Sequence, residues 1–539
     1  MQMLRNASVL YALLALVTGC DGKTATPADA GMPPTDAFTL PPPEVTTPLG
    51  TVRGMRGTSY LGFLGIPYAE PPVGELRFRS PVAHAAWTTT RDATRKGRAC
   101  AQNALGLTSG DEDCLFVNVH TPDPMPVNAP VMVWIHGGAF VFGEGVQTDN
   151  GTLGDVLAAH EGIVVVSMNY RLGNFGWLTH AGIGAQGNQG FEDQQLALEW
   201  VRDNIASFGG NPDDVTITGE SAGGLSVCLH LIAPRSRGLF HRAVAESGLC
   251  DSFLPTIAAS QTYADGVVDS VGCTSAADVG ACLRALPTAA IRDAGGFTGD
   301  ILPLLAGSDR ATWPTADGTI IPESFRARVE AGDVADVPVI IGWNGDEGTL
   351  FVALAALGGA TIDEAAYHST IAMLGTTYGL DPLAIEAQYP LTSYPDPIAA
   401  LAAPVGHVSV ACPQRRAALL LASHGIDVRT YHFEYPDARF ALSTSFDLGA
   451  FHSAEIQFIF GHPVAARTFP DADATALAAA ISGYWGSFVR TGDPNEAGAV
   501  AWPLFDATTE PTLVFDRTIT TGSAIDREPC MLWDAPAPP

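Results

Sequence analysis

The sequence predicts an α/β fold: one large, mostly parallel sheet with helices packed on both faces. Three observations predict it. From about residue 46 onward, short β-branched apolar runs alternate with longer helical patterns, the sign of a parallel sheet covered by helices. The apolar runs are continuous rather than alternating with polar residues, as strands buried on both faces are. The chain of 539 residues, 47% hydrophobic, can bury a large core, and no fixed-period self-similarity indicates a solenoid or propeller. One large domain over residues 46–536 is therefore the expectation.

Taken in chain order, residues 1–19 are read as an export signal, with Arg5 in a short n-region and an apolar stretch over residues 7–17 too short to span a membrane. Val17-Thr18-Gly19-Cys20 resembles the lipobox of bacterial lipoproteins, in which Cys20 becomes the lipidated first residue of an envelope protein; an ordinary signal peptide with an incidental cysteine is the alternative. Residues 20–45, rich in Pro, Ala and Thr, are read as a flexible tether. Residues 131–135 and 163–167 read as central strands. Residues 192–208 read as a helix ended by Gly209-Gly210-Asn211-Pro212. Strand 215–218, helix 222–232, strands 337–341 and 431–435, and helix 476–490 complete the pattern. Residues 249–336 and 354–401 carry weak strand signals and much helix, and are read as inserts walling a substrate gorge.

Acidic residues outnumber basic ones 57 to 28, for a formal charge of −29. Such a field repels phosphate backbones and disfavours nucleic acid as a partner. The same charge favours solubility and specifies no substrate. The only membrane contact expected is the lipid at Cys20, and nothing in the sequence specifies an oligomeric state. Nine cysteines in an exported chain leave eight once Cys20 is set aside. Spacing suggests Cys100 with Cys114, Cys273 with Cys282, and Cys412 with Cys530. Cys228, in an apolar helical run, is read as a buried thiol, with Cys250 left over.

The sharpest motif is Gly219-Glu220-Ser221-Ala222-Gly223-Gly224, between the strand at 215–218 and the helix after it. Gly-x-Ser-x-Gly at such a turn places the serine on a strained elbow with its hydroxyl projecting. A serine hydroxyl needs a base to accept its proton as it attacks, and a set of amides to face the oxyanion. His136-Gly137-Gly138-Ala139-Phe140 directly follows the strand ending at Ile135, where glycines let backbone N–H groups turn towards a carbonyl oxygen.

With these two motifs the chain resembles the type-B carboxylesterases, the family of bacterial carboxylesterases, acetylcholinesterase and the non-catalytic neuroligins. The resemblance covers residues 51–533. It includes Phe63-Leu64-Gly65-Ile66-Pro67-Tyr68-Ala69-Glu70-Pro71-Pro72, Glu112-Asp113-Cys114-Leu115, Asn169-Tyr170-Arg171-Leu172-Gly173 and Gly190-Phe191-Glu192-Asp193-Gln194. It implies an α/β-hydrolase fold, oxyanion donors at the amides of Gly138, Ala139 and Ala222, and a buried structural pair of Arg171 with Asp193. Thirteen histidines compete for the role of base. His452, in Gly449-Ala450-Phe451-His452-Ser453-Ala454-Glu455, resembles the family's histidine block, whereas His407, His424, His432 and His462 lack that setting. Gly345-Asp346-Glu347-Gly348 resembles the family's acid loop, which favours Glu347 to orient the histidine; Asp346 is expected to make local backbone hydrogen bonds. Glu220 and Ser247 match positions near the family's site and are ranked as supporting residues.

The order Ser221, Glu347, His452 is that of α/β-hydrolases. The expected chemistry is acyl transfer on a small ester, with no cofactor and no metal, and a rate rising through a histidine pKa near about 6.5 if unperturbed. Cholinesterases carry, in the first disulfide loop, a tryptophan that holds the quaternary ammonium. Residues 101–113 here contain no aromatic, which favours a general carboxylesterase acting on short- to medium-chain esters, or on bulky ones, as family members with the Gly-Gly-Ala loop often do. A neuroligin-like binding protein and an amidase or lactonase on the same machinery are the rival readings.

Overall fold

The computed structural model describes residues 40–104, 107–147, 151–295, 312–440, 444, 446–466 and 468–534; the expected export signal, Cys20 and most of the tether lie outside them. Its centre is an eleven-stranded mixed sheet. In chain order the strands are β1 Met55–Arg56, β2 Tyr60–Pro67, β3 Phe116–Pro122, β4 Ala129–Ile135, β5 Val164–Met168, β6 Gly210–Glu220, β7 Arg242–Glu246, β8 Val339–Asn344, β9 Val428–Phe433, β10 Pro511–Phe515 and β11 Thr520–Ser523. Across the sheet they run β11-β10-β9-β8-β7-β6-β4-β5-β3-β2-β1. Pairings from β5 through β4 to β10 are parallel, and those at both margins are antiparallel. Every parallel strand therefore ends on the same edge.

Side chains alternate across a strand, and the two faces of β4 show where each half of the core lies. Val131, Val133 and Ile135 join one apolar cluster with helices α1 (Gln189–Asn204), α2 (Ala222–Ile232) and α4 (Cys412–Ser423). Met132 and Trp134 join the other, built on α5 (Ala472–Thr491). Residues 131–135 are at most 1% exposed, so the strand has no polar face, as its sequence anticipated.

The elements expected from sequence are present, with shifted ends. Helix α1 begins at Gln189 rather than 192, and Ile205–Phe208 follows as a 3₁₀ turn. Its first turns are polar yet buried, which hides the helical periodicity: Asp193 pairs with Arg171 through Nη2–Oδ1 at 2.7 Å, and Gln194 Nε2 donates to Ser226 Oγ at 3.1 Å. Strand β6 begins at Gly210, with a register shift before Val215. Among the described residues the two stretches with weak strand signals carry helices, Ile257–Ser270, Val279–Ala285 and Phe325–Glu330 in the first, and Glu364–Tyr378 and Pro397–Gly406 in the second, and contribute no strand to the central sheet. Helix α3 (Glu347–Leu357) opens directly from β8.

Disulfides join Cys100 to Cys114, Cys273 to Cys282 and Cys412 to Cys530, as the spacing suggested. The reading of Cys228 as a thiol is corrected: Cys228 is bonded to Cys250. Both are buried, and helix α2 packs across β6 and β7, bringing its second turn against the loop that leaves β7. Sequence spacing does not reveal that approach. Bridges of this kind belong to oxidising compartments, consistent with an extracellular or secreted protein. Among the described residues no helix is long and apolar enough to cross a membrane.

Candidate active site

The loops leaving the common edge of β4, β6, β7, β8 and β9 converge. At the end of β6 the chain turns sharply into α2, with Ser221 at φ 57°, ψ −120°, a region costly for a residue with a side chain. The turn is held by the Ser221 N–H, which donates to Glu246 O on β7 at 2.9 Å. Small neighbours make it feasible. A Cβ on Gly224 would stand 2.6 Å from Glu246 O, and one on Gly223 would run into Ile135 O at the end of β4.

Beyond β4, Gly138, Ala139 and Phe140 all have positive φ, at 105°, 52° and 61°. His136 Nδ1 donates to Gly137 O at 2.8 Å, and the ring stacks on Tyr170 at 4.3 Å. Burial pushes His136 down to about 4, so it is neutral near pH 7. Because a peptide's C=O and N–H point in opposite directions, holding Gly137 O against His136 turns the Gly138 N–H the other way. Among the described residues the amides of Gly138, Ala139 and Ala222 donate to no protein acceptor; that of Ala222 is one of the free donors at a helix start. What braces this loop carries no motif in the sequence. Gln102, in the hairpin of Gln102–Ala104 and Leu107–Ser109, accepts from Gly143 N at 2.9 Å and donates to Gly143 O at 3.0 Å.

His452 and Glu347 meet as expected, His452 Nδ1 donating to Glu347 Oε2 at 2.6 Å. Glu347 Oε1 accepts from Ser247 Oγ at 2.6 Å and from the Asn344 N–H at 2.7 Å. Asp346 departs from expectation: its Oδ2 accepts from the Ala450 N–H at 2.9 Å, and its own N–H donates to Ala450 O at 2.9 Å. These are long-range bonds that stitch the acid loop to the histidine loop.

The other ring nitrogen of His452 approaches Glu220, the residue before Ser221. His452 Nε2 lies 3.1 Å from Glu220 Oε1, but the ring N–H is not aligned on that oxygen, which accepts no hydrogen bond among the described residues. The Ser221 hydroxyl likewise makes none. Burial works against the imidazolium, yet the carboxylates of Glu220 and Glu347 outweigh it and push His452 up to about 9. Burial in turn pushes Glu220 up to about 8 and Glu455 to about 7. Glu246, whose Oε1 accepts from Trp485 Nε1 at 2.9 Å, is also driven up by burial. A bare Nε2 and an ionised Glu220 at 3.1 Å would set lone pair against lone pair, so this cluster holds protons near neutrality. Glu455, 1% exposed, was not singled out from sequence; its Oε2 accepts from Asn344 Nδ2 at 2.6 Å.

The other candidate histidines lie elsewhere. His432 faces Glu434 at 3.2 Å, His462 faces Asp155 at 2.5 Å and His407 faces Asp526 at 3.3 Å, while His424 caps its own helix through Leu420 O. Among the described residues no group of three His, Cys, Asp or Glu side chains is disposed to hold a metal ion.

Residues 41–533 match the model of the carboxylesterase family. A cholinesterase of Mus musculus is 33% identical over 536 residues, covering 91% of this chain and 86% of that protein. Solved structures of a PNB esterase superpose with a TM-score of 0.77; one is 32% identical and covers 91% of this chain and 99% of the other.

Proposed function

The chain belongs to the carboxylesterase family, type B, and from that premise we propose that it hydrolyses carboxylic esters through an acyl-enzyme, with Ser221 as nucleophile, His452 as base and Glu347 as the acid that orients it. The observation that supports this reading is the chain of contacts from Ser247 through Glu347 to His452 Nδ1, with Nε2 of the same ring 3.1 Å from Glu220, the residue before the strained Ser221. Ser221 Oγ attacks the carbonyl carbon as its proton passes to His452 Nε2. The oxyanion that forms is met by the amides of Gly138, Ala139 and Ala222, donors worth on the order of 3 to 4 kcal/mol each when removed singly. Collapse expels the alcohol, which takes the proton from His452, and water repeats the sequence on the acyl-enzyme. The Ser221–His452 hydrogen bond forms in the substrate complex, where catalytic hydrogen bonds reach their working geometry.

The mouse relative is a cholinesterase by name. Choline esters are nevertheless read as poor substrates here, because the hairpin closed by Cys100–Cys114 offers no aromatic face to a quaternary ammonium. Short- to medium-chain esters are the proposed class. A fluorophosphonate probe should label the wild type and not Ser221→Ala, whose hydrolysis of p-nitrophenyl acetate should fall by on the order of 10⁴-fold or more. Failure of the wild type to label would leave a non-catalytic binding protein. Across a p-nitrophenyl series, palmitoyl should be the poorest; a palmitoyl optimum would reject the chain-length reading. We also propose export as a lipoprotein anchored at Cys20. Labelled palmitate should enter the wild type and not Cys20→Ala, and equal labelling would reject the anchor.

A further inference from the structure

Cys228 lies on α2, about two turns beyond the Ser221 elbow, and Cys250 lies just past the turn that carries Ser247 away from β7; their Cα atoms are 5.5 Å apart. That turn is conformationally demanding. Ser247 has φ 46° and Leu249 φ 51°, left-handed conformations that persist only where the surroundings hold them. Gly248, between them, is pressed against α2, so that an added Cβ would stand 2.6 Å from the Gly224 carbonyl carbon.

Non-covalent ties also hold the turn and the residue beyond it: Asp251 pairs with Arg326 and, at 3.0 Å, with Arg416, whose Nη2 donates to Asp251 O at 3.1 Å. The Ser247 N–H donates to Gly342 O at 2.9 Å. Gln414 accepts from the Cys250 N–H at 3.4 Å, while its Nε2 donates to Ala245 O at 2.9 Å and to Gly342 O at 3.1 Å. The covalent tie is Cys228–Cys250. The other bridges close a hairpin, a helical insert and the C-terminal tail. This one joins the helix that begins at Ser221 to the turn whose hydroxyl rests on Glu347.

We propose that the Cys228–Cys250 disulfide is a positioning element for the hydrolytic site: it fixes the Ser247 hydroxyl on Glu347 Oε1, and through Glu347 the orientation of the His452 ring towards Ser221. The inference rests on the esterase reading above. A shift of the turn would break a 2.6 Å hydrogen bond and leave Glu347 Oε1 with the Asn344 N–H as its remaining partner among the described residues, and misplacement of a reacting group by about 1 Å can cost 10²-fold in rate. Both cysteines are buried and so out of reach of substrate, which places the expected effect in kcat rather than KM.

The test is a cycle of variants assayed with p-nitrophenyl acetate, active sites being titrated with a fluorophosphonate. Cys228→Ala/Cys250→Val, which keeps the apolar filling, should lower kcat about tenfold or more with KM within about twofold. In a Ser247→Ala background the same pair of changes should lower kcat no further. An additive loss, or an unchanged kcat with a lowered unfolding midpoint, would make the bridge a structural staple only and overturn the proposal. Should the pair fail to fold, Gln414→Ala leaves the bridge intact while removing the Gln414 side-chain ties to the turn. Its kcat should stay within about twofold of wild type, and a tenfold fall would assign the positioning to Gln414 instead. A wild type without Ser221-dependent hydrolysis would reject the esterase reading itself.

Discussion

At the scale of single residues, the site is governed by buried carboxylates crowding one imidazole. Glu220, Glu246, Glu347 and Glu455 are each at most 4% exposed, and full ionisation of all of them would be prohibitive in so dry a setting. His452 gains from these neighbours as a cation, so its stabilising contribution is complete below its ordinary value near 6.5 and is lost as pH rises through about 9. On the proposed mechanism activity runs the other way, since only the neutral ring can take the serine proton. The rise of kcat/KM with pH should therefore lie above the unperturbed histidine range, not at it. Glu220→Gln removes the nearest anion facing Nε2 and should move that rise to lower pH; an unmoved profile would show that Glu220 does not set it. The sequence singled out Ser221, Glu347 and His452 because motifs surround them. It was silent on Glu455 and Asn344, which act through contacts made only when β8 and the histidine loop come together.

At the scale of elements, a hairpin remote in sequence braces the loop of free amides. Gln102 pairs with both backbone groups of Gly143, and Lys96 Nζ and Asn169 Oδ1 hold the residues that follow, at Glu144 and Gly145. Gln102→Ala should lower kcat by about 10- to 100-fold, less than the 10²- to 10³-fold of losing a donor outright, while KM changes little. A variant with wild-type kcat would show the loop to be self-supporting. Strand and helix identities were legible from apolar runs such as residues 131–135. Their ends were not: α1 opens with buried Gln189, Asp193 and Gln194, and buried polar residues look like loop to any reading based on periodicity. The Cys228–Cys250 bridge was hidden for a related reason, because helix-on-strand packing rather than spacing brings the pair together.

At the scale of the whole molecule, the C-terminal segment is fastened by Cys412–Cys530 across a sequence separation of 118 and by Arg415 paired with Glu510 at 2.7 Å. Closing so long a loop removes about 4 to 5 kcal/mol of denatured-chain entropy in the loop model. Cys412→Ala/Cys530→Ala should lose stability of that order in denaturant titration, with kcat per folded molecule retained; an unchanged midpoint would show that packing alone holds the segment. Architecture was the most legible level, because burial on both faces marks central strands without reference to any site. The elbow glycines carry a related lesson. Gly223 and Gly224 are confined by backbone from β4 and β7, so selection for folding alone would preserve them in a descendant that had abandoned hydrolysis. In this chain, then, the glycine signature answers to folding alone, and on the proposed mechanism it is the side chains at 221, 347 and 452 that would tell a working enzyme from a silent one.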